Sequence, residues 1–160
     1  MGFNEFALNL EQDPIGIKSV GECHISIPAG TSIGGAGTYY KIAGTTIADN
    51  LVNFTMPESN RLQCNDAIPK KYLVLVTGSC YVSSSTVSGT IAISKNGFVD
   101  TTNLIRTTMG SSNSIQSVAL TSIVEMSAGD WIEIAIANNT DTKTITFKHL
   151  NVTIIEFDRV

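Results

Sequence analysis

The chain has 160 residues, a formal net charge of −4, 42% hydrophobic residues and only 15% charged ones. Sixteen Ser, eighteen Thr and twelve Asn give it a polarity of hydroxyls and amides more than of charges. A chain of this size buries about 69% of its unfolded surface, so a core forms without disulfides or metals, and the apolar content excludes an intrinsically disordered protein. Nucleic-acid binding through a basic footprint is excluded as well, because Lys70-Lys71 is the sole adjacent basic pair. No window approaches the ~20 apolar residues of a membrane-spanning helix. The first residues lack the basic and apolar regions of a secretory leader. Cys23, Cys64 and Cys80 make an odd set at unrelated spacings, which reads as reduced, strand-borne thiols in a chain made in a reducing cytoplasm.

Residues 1–17 stand apart. Phe3, Phe6, Ala7 and Leu10 fall at the spacing of one helical face, while Phe6, Leu8 and Leu10 equally alternate as in a strand added to a neighbour's sheet edge. Glu5, Glu11 and Asp13 make the segment acidic, and Asp13-Pro14 ends the pattern. We read residues 1–17 as an arm and residues 18–160 as one domain.

From there on the apolar residues come in twos. Gly21 to Pro28 alternates, with Cys23, Ile25 and Ile27 on one side. Tyr39 to Ile42 follows a glycine-rich turn, and Tyr72 to Val82 is almost continuously apolar, as in a strand covered on both faces. Gly89 to Lys95 runs into Asn96-Gly97, a two-residue hairpin signal, because both positions need positive φ. Ile115 to Met126, the turn Ser127–Asp130, Trp131 to Ala137 and Thr144 to Phe157 complete the set, with a slip between Lys148 and Leu150 that predicts a bulge. Eight to ten strands with turns at this spacing predict an all-β sandwich or barrel.

Chemistry-bearing constellations are weak. Gly30-Thr31-Ser32-Ile33-Gly34 matches a nucleophile-elbow pattern, but the strand–turn–helix context it needs is missing. His24 and His149 are isolated, and Cys23-His24 as strand neighbours point to opposite faces. No carboxylate pair, calcium loop or zinc spacing emerges. We therefore assign no catalytic residue, cofactor or metal. Trp131 and Glu133 lie opposite the Ile132/Ile134/Ile136 row, so the second face of that strand also hides a large ring. Together with Tyr72, Tyr81, Phe147 and Phe157, they are the candidate contacts between subunits.

A family resemblance emerges at Ile93-Ser94-Lys95-Asn96-Gly97 and again at Val124 to Ile134, with its Gly129-Asp130-Trp131 step. Asn53-Phe54, Arg61-Leu62 and Pro69-Lys70-Lys71-Tyr72 extend it, so that it covers about residues 38–157. The pattern resembles the jelly-roll superfamily of tumour necrosis factor and the globular heads of complement-type collagenous proteins. Gly21-Glu22, the run Ala36 to Thr46 and Ala137 to Asp141 are similar to the version found in tailed-phage structural proteins. What the resemblance implies is an antiparallel jelly-roll sandwich of about ten strands that forms a homotrimer on a virion, with no family catalytic residues to carry over. The expected function is a capsid decoration (cement) protein on the head surface, assembled in the host cytoplasm. Its expected partners are itself and the major capsid protein or another virion protein. The attachment arm is expected to use Phe3, Glu5, Phe6, Leu8, Leu10, Glu11 and Asp13. The alternative is a tail or fibre module that recognises a host surface ligand through loops such as Ser83-Ser84-Ser85.

Overall fold

The structure, a computed structural model, describes residues 19–111 and 114–157. Its strands are β1 (Val20–Pro28), β2 (Gly30–Thr31), β3 (Tyr40–Lys41), β4 (Gly44–Val52), β5 (Phe54–Glu58) and β6 (Arg61–Cys64). They continue as β7 (Lys70–Val82), β8 (Val87–Lys95), β9 (Phe98–Met109), β10 (Gln116–Met126), β11 (Trp131–Asn138) and β12 (Ile145–Glu156). One sheet runs β10–β7–β12–β1–β4 with β2 on β12; the other runs β5–β6–β11–β8–β9 with β3 on β11. All named strand pairs are antiparallel. The all-β jelly-roll sandwich is thus the architecture.

Alternation places the core. In β7, Tyr72, Val74, Val76, Cys80 and Val82 point inward, and in β11 so do Ile132, Ile134 and Ile136. Those two rows, with Ile91 and Ile93 of β8 and Leu150, Val152 and Ile154 of β12, form the interior between the sheets. Phe147 lies over Gly78, where an added Cβ would come within 2.7 Å of the His149 carbonyl oxygen and 3.3 Å of the Phe147 ring. The close approach belongs to the expected bulge: Phe147 opposes Cys80 and His149 opposes Ser79, so Lys148 is the extra residue.

Two details differ from the expectation. The strand around Tyr39–Ile42 shrinks to two residues, because β3 pairs with β11 only at Ala135 and Ile136. The stretch Gly44–Cys64, which carries little alternation, forms three strands that turn the corner between the sheets. Asn53 makes the tightest of those turns with φ of 58°.

The hairpin and the Gly-Asp turn lock together. Asn96 and Gly97 have φ of 54° and 81°. The Asn96 amide donates to Asp130 Oδ1 at 2.6 Å and accepts from the Trp131 N–H at 2.9 Å. Asp130 Oδ2 accepts from the Ser127 N–H at 3.0 Å and meets Lys95 at 3.0 Å. Desolvation raises the Asp130 pKa, but the bonds from Asn96, Ser127 and Lys95 outweigh it and hold the carboxyl at about 2. Asp100, bonded by Thr102 and Asn103 on β9, also sits at about 2. Both values lie below the ordinary 3.8, so this stability is complete above that pH and is lost as pH falls towards 2. Urea unfolding midpoints should therefore drop steeply between about pH 4 and 2, and Asp130→Asn should flatten part of that drop. Asn96→Ala removes both ends of the clamp and should lower stability by about 1–3 kcal/mol by the same measurement at neutral pH.

Candidate assembly surface

The two sheets differ on the faces they turn away from each other. On the β5–β6–β11–β8–β9 sheet that face is polar and ion-paired in one quarter. Glu133 on β11 is 7% exposed. Its Oε1 accepts from Arg61 Nε at 2.7 Å and Nη2 at 2.6 Å, with Lys41 at 3.5 Å. Arg61 and Lys41 also meet Glu58, at 2.5 and 3.2 Å, and hydrogen bonding from Lys41, ahead of the charges of Lys41 and Arg61, lowers the Glu58 pKa. The Arg61 guanidinium lies 4.8 Å from the Trp131 ring centre. The Trp131 Nε1 donor is buried and has no acceptor among the described residues.

The β10–β7–β12–β1–β4 sheet turns a different surface outward. Directly opposed residues of its five long strands give the row Val52–Val20–Ile155–Leu73–Ile123. Within that row Val20 is itself buried, at 4% exposure, Leu73 and Ile155 are half-buried, and only Ile123 and Val52 at the ends, at 51% and 42%, are exposed. At the spacing of paired strands the row is about 19 Å long. The next rows are Thr121–Leu75–Thr153 and Ala119–Thr77–Asn151, all uncharged. Charge flanks the row on its other side, where exposed Lys71 opposes exposed Glu125, and enters again towards the β1–β4 edge, where Glu22 accepts from Thr153 at 3.3 Å and His24 meets Asp49 at 2.5 Å.

The candidate contacts separate accordingly. Tyr72 and Phe147 are fully buried inside the sandwich. They offer a neighbour no surface, because each shares its strand parity with core residues: Tyr72 with Val74, Phe147 with Ile145. That corrects their assignment as subunit contacts. Tyr81 is half-buried on the outer side of β7, opposite Thr146, and Phe157 is 41% exposed just beyond β12. Trp131 and Glu133 lie on the opposite side of the sandwich, so the candidates do not form one patch. Phe3, Glu5, Phe6, Leu8, Leu10, Glu11 and Asp13 lie outside the described residues. Sequence reading missed the five-membered row; its parity was legible in Leu73 and Leu75, but its register was not.

Among the described residues, no group of three or more His, Cys, Asp or Glu side chains is placed to hold a metal. The thiols of Cys23, Cys64 and Cys80 are buried and free. Burial pushes Cys23 and Cys80 up to about 12, with Asp49 and Glu22 adding to the effect at Cys23. Three carboxylates in the last third of the chain are engaged in structural bonds: Asp130 in the turn, Glu133 with Arg61, and Glu156 with Lys70 at 3.1 Å. Gly30-Thr31 forms the short β2, and the next element is again a strand.

Arg61→Ala should destabilise the fold by about 3 kcal/mol, since it leaves the buried Glu133 carboxylate short of its main hydrogen-bond partner. The double variant Arg61→Met/Glu133→Gln should recover part of that loss in thermal or urea unfolding.

No family model matches the chain, and no curated protein matches its sequence. Solved structures do resemble it. Murine APRIL at pH 5.0 superimposes with a TM-score of 0.57 at 11% identity, over 87% of this chain and 98% of that one. Eiger TNF from S. frugiperda gives 0.52 at 12% identity, over 88% and 93%. The globular domain of zebrafish complement 1qA covers 89% of this chain and all of its own at 9% identity, with a TM-score of 0.49. The APRIL and Eiger superpositions show that the chain has the jelly-roll fold of tumour-necrosis-factor-type domains.

Proposed function

We propose that this chain is a self-associating, non-enzymatic structural module: a homotrimer that decorates the head of a phage particle and stabilises its surface. The observation that carries the self-association is the aliphatic row Val52–Val20–Ile155–Leu73–Ile123 on an outward-facing sheet. A sandwich needs one apolar face per sheet, and this sheet has two. Burying a Leu or Ile side chain is worth about 1.5–3 kcal/mol, so the second face is best satisfied by another copy of itself. The Thr, Asn and Ala rows on one side of it are uncharged, and on the other side Lys71 and Glu125 stand opposite each other with opposite charge.

The particle follows from the resemblance of residues 21–46 and 137–141 to phage virion domains, and from the acidic, apolar-studded residues 1–17. In this reading the sandwich assembles through the β10–β7–β12–β1–β4 sheet. The arm, joined to that sheet at Val20, holds the assembly on a coat protein.

Two measurements test the two halves separately. Sedimentation of the intact protein at micromolar concentration should give three times the 17.1 kDa chain mass. Leu73→Asp/Ile123→Asp should give a folded monomer; a trimer that survives this change removes the row from the interface. Deleting residues 2–14 should leave the trimer intact and abolish its binding to particles assembled without this protein. Wild-type decoration by the truncated trimer would overturn the attachment role.

A further inference from the structure

Asn96-Gly97 is the sole Asn-Gly step in the chain, and it carries a chemistry that its turn role does not use. Glycine has no side chain to shield its own amide nitrogen, so that nitrogen can approach the side-chain carbonyl carbon of the preceding asparagine. The Gly97 amide, on losing its proton, attacks Asn96 Cγ: the N–Cγ bond forms, the Cγ–Nδ2 bond breaks, and Nδ2 leaves as ammonia. The cyclic imide takes up water at either of its carbonyls and opens to aspartate or to isoaspartate. Water is consumed and ammonia released, with no change of oxidation state.

The surroundings of this step oppose one another. Gly97 is exposed, and a Cβ built there would meet nothing within 4 Å, so its side of the turn is open to water. Asn96 is half-buried and held at three points. Its backbone N–H donates to the Trp131 carbonyl at 3.0 Å, its Nδ2 donates to Asp130 Oδ1 at 2.6 Å, and its Oδ1 accepts from the Trp131 N–H at 2.9 Å. Asp130 is itself fixed by the Ser127 N–H and by Lys95, so it does not follow the amide. Cγ therefore cannot turn onto the Gly97 nitrogen until both side-chain bonds break.

We propose that Asn96 is the chain's site of spontaneous deamidation and that the clamp made by Asp130 and Trp131 sets its rate. The amide survives while the turn is closed and is converted once the turn opens. The change is one-way. An aspartate in place of Asn96 has no N–H to give Asp130 and sets a second carboxylate against the first, while Lys95 is the one cation paired with Asp130 among the described residues. Isoaspartate also lengthens the main chain by a methylene, which a two-residue turn cannot take up. Each opening of this corner thus exposes the turn to a change that stops it closing again. The chemistry is internal to one protomer and stands whether or not the protein decorates a particle.

Timed incubation of the intact protein at mildly alkaline pH, with mass spectrometry of the tryptic peptide spanning residues 96–106, tests it. The wild type should convert about tenfold more slowly than Asp130→Ala, the factor that one hydrogen bond to a charged group is worth. Asp130→Asn, whose amide oxygen still accepts from Nδ2, should stay close to the wild type. So should Val76→Ala, a core change in the middle of β7. Equal rates in the wild type and Asp130→Ala overturn the proposal. Val76→Ala converting as fast as Asp130→Ala also overturns it, because the rate would then report global unfolding, as does earlier conversion of any other asparagine. If Asp130→Ala does not fold, the wild type in urea replaces it under the same criterion. Asn96→Asp, which carries the product from the start, should unfold at a lower urea concentration than the wild type at neutral pH; an equal midpoint would show that the altered turn still closes and would overturn the one-way step.

Discussion

A β-sandwich of this size is stabilised by the inward faces of its two sheets, and the rest of each sheet is free to be polar. Here the sheet β10–β7–β12–β1–β4 departs from that economy, because its strand β7 is apolar on both sides. Val74 and Val76 point into the core while Leu73 and Leu75 point out. The pairing from β10 through β7 to β12 is unbroken at Leu73, so Ile123, Leu73 and Ile155 stand directly side by side. The bulge at Lys148 comes farther along β12, towards its start, and leaves this register undisturbed. A continuous aliphatic row is thus a consequence of register, and its exposed ends at Ile123 and Val52 are apolar surface of the kind that marks a contact.

Much of the fold was legible because period-two patterning is strong where strands are long. β1, β7, β11 and β12 appear in the sequence almost at their observed limits, and the Asn96-Gly97 turn carries its own conformational demand. The segment from Gly44 to Cys64 was not legible in the same way. It is built from short strands with polar and exposed positions, and its turns rest on Asn53 and Asn60 in positive φ, where neither periodicity nor proline marks a boundary.

The surface was only half legible, for a related reason. In a strand that is apolar on both faces, alternation sorts residues into two sets without saying which set is inside. Tyr72 and Phe147 are large and aromatic, and size alone suggested a contact surface; their parity with Val74 and Ile145 puts them in the core. Glu133 reads as outward, and it is outward. Its burial comes from Arg61 and Lys41, on strands distant in sequence, and no local pattern announces a charge covered in this way.

The contrast between the two outer faces decides which one suits self-association. Covering the β11 side would desolvate Glu58, Arg61 and Lys41 together, and the attraction between such ions in a drier environment barely offsets the hydration they lose. That cluster is already nearly complete within one protomer: Glu133 takes two of the three guanidinium nitrogens, Glu58 the third, and Arg61 rests on Trp131. A second copy would add little there and remove water from three charges. On the β7 side a second copy removes water mostly from aliphatic carbon and from hydroxyl and amide groups that can bond across the contact, with the opposed Lys71 and Glu125 at its border. The same logic holds where the chain enters β1: Ser19, Asp66, Lys70 and Glu156 satisfy one another inside the protomer, so no charge there is left buried and unpaired.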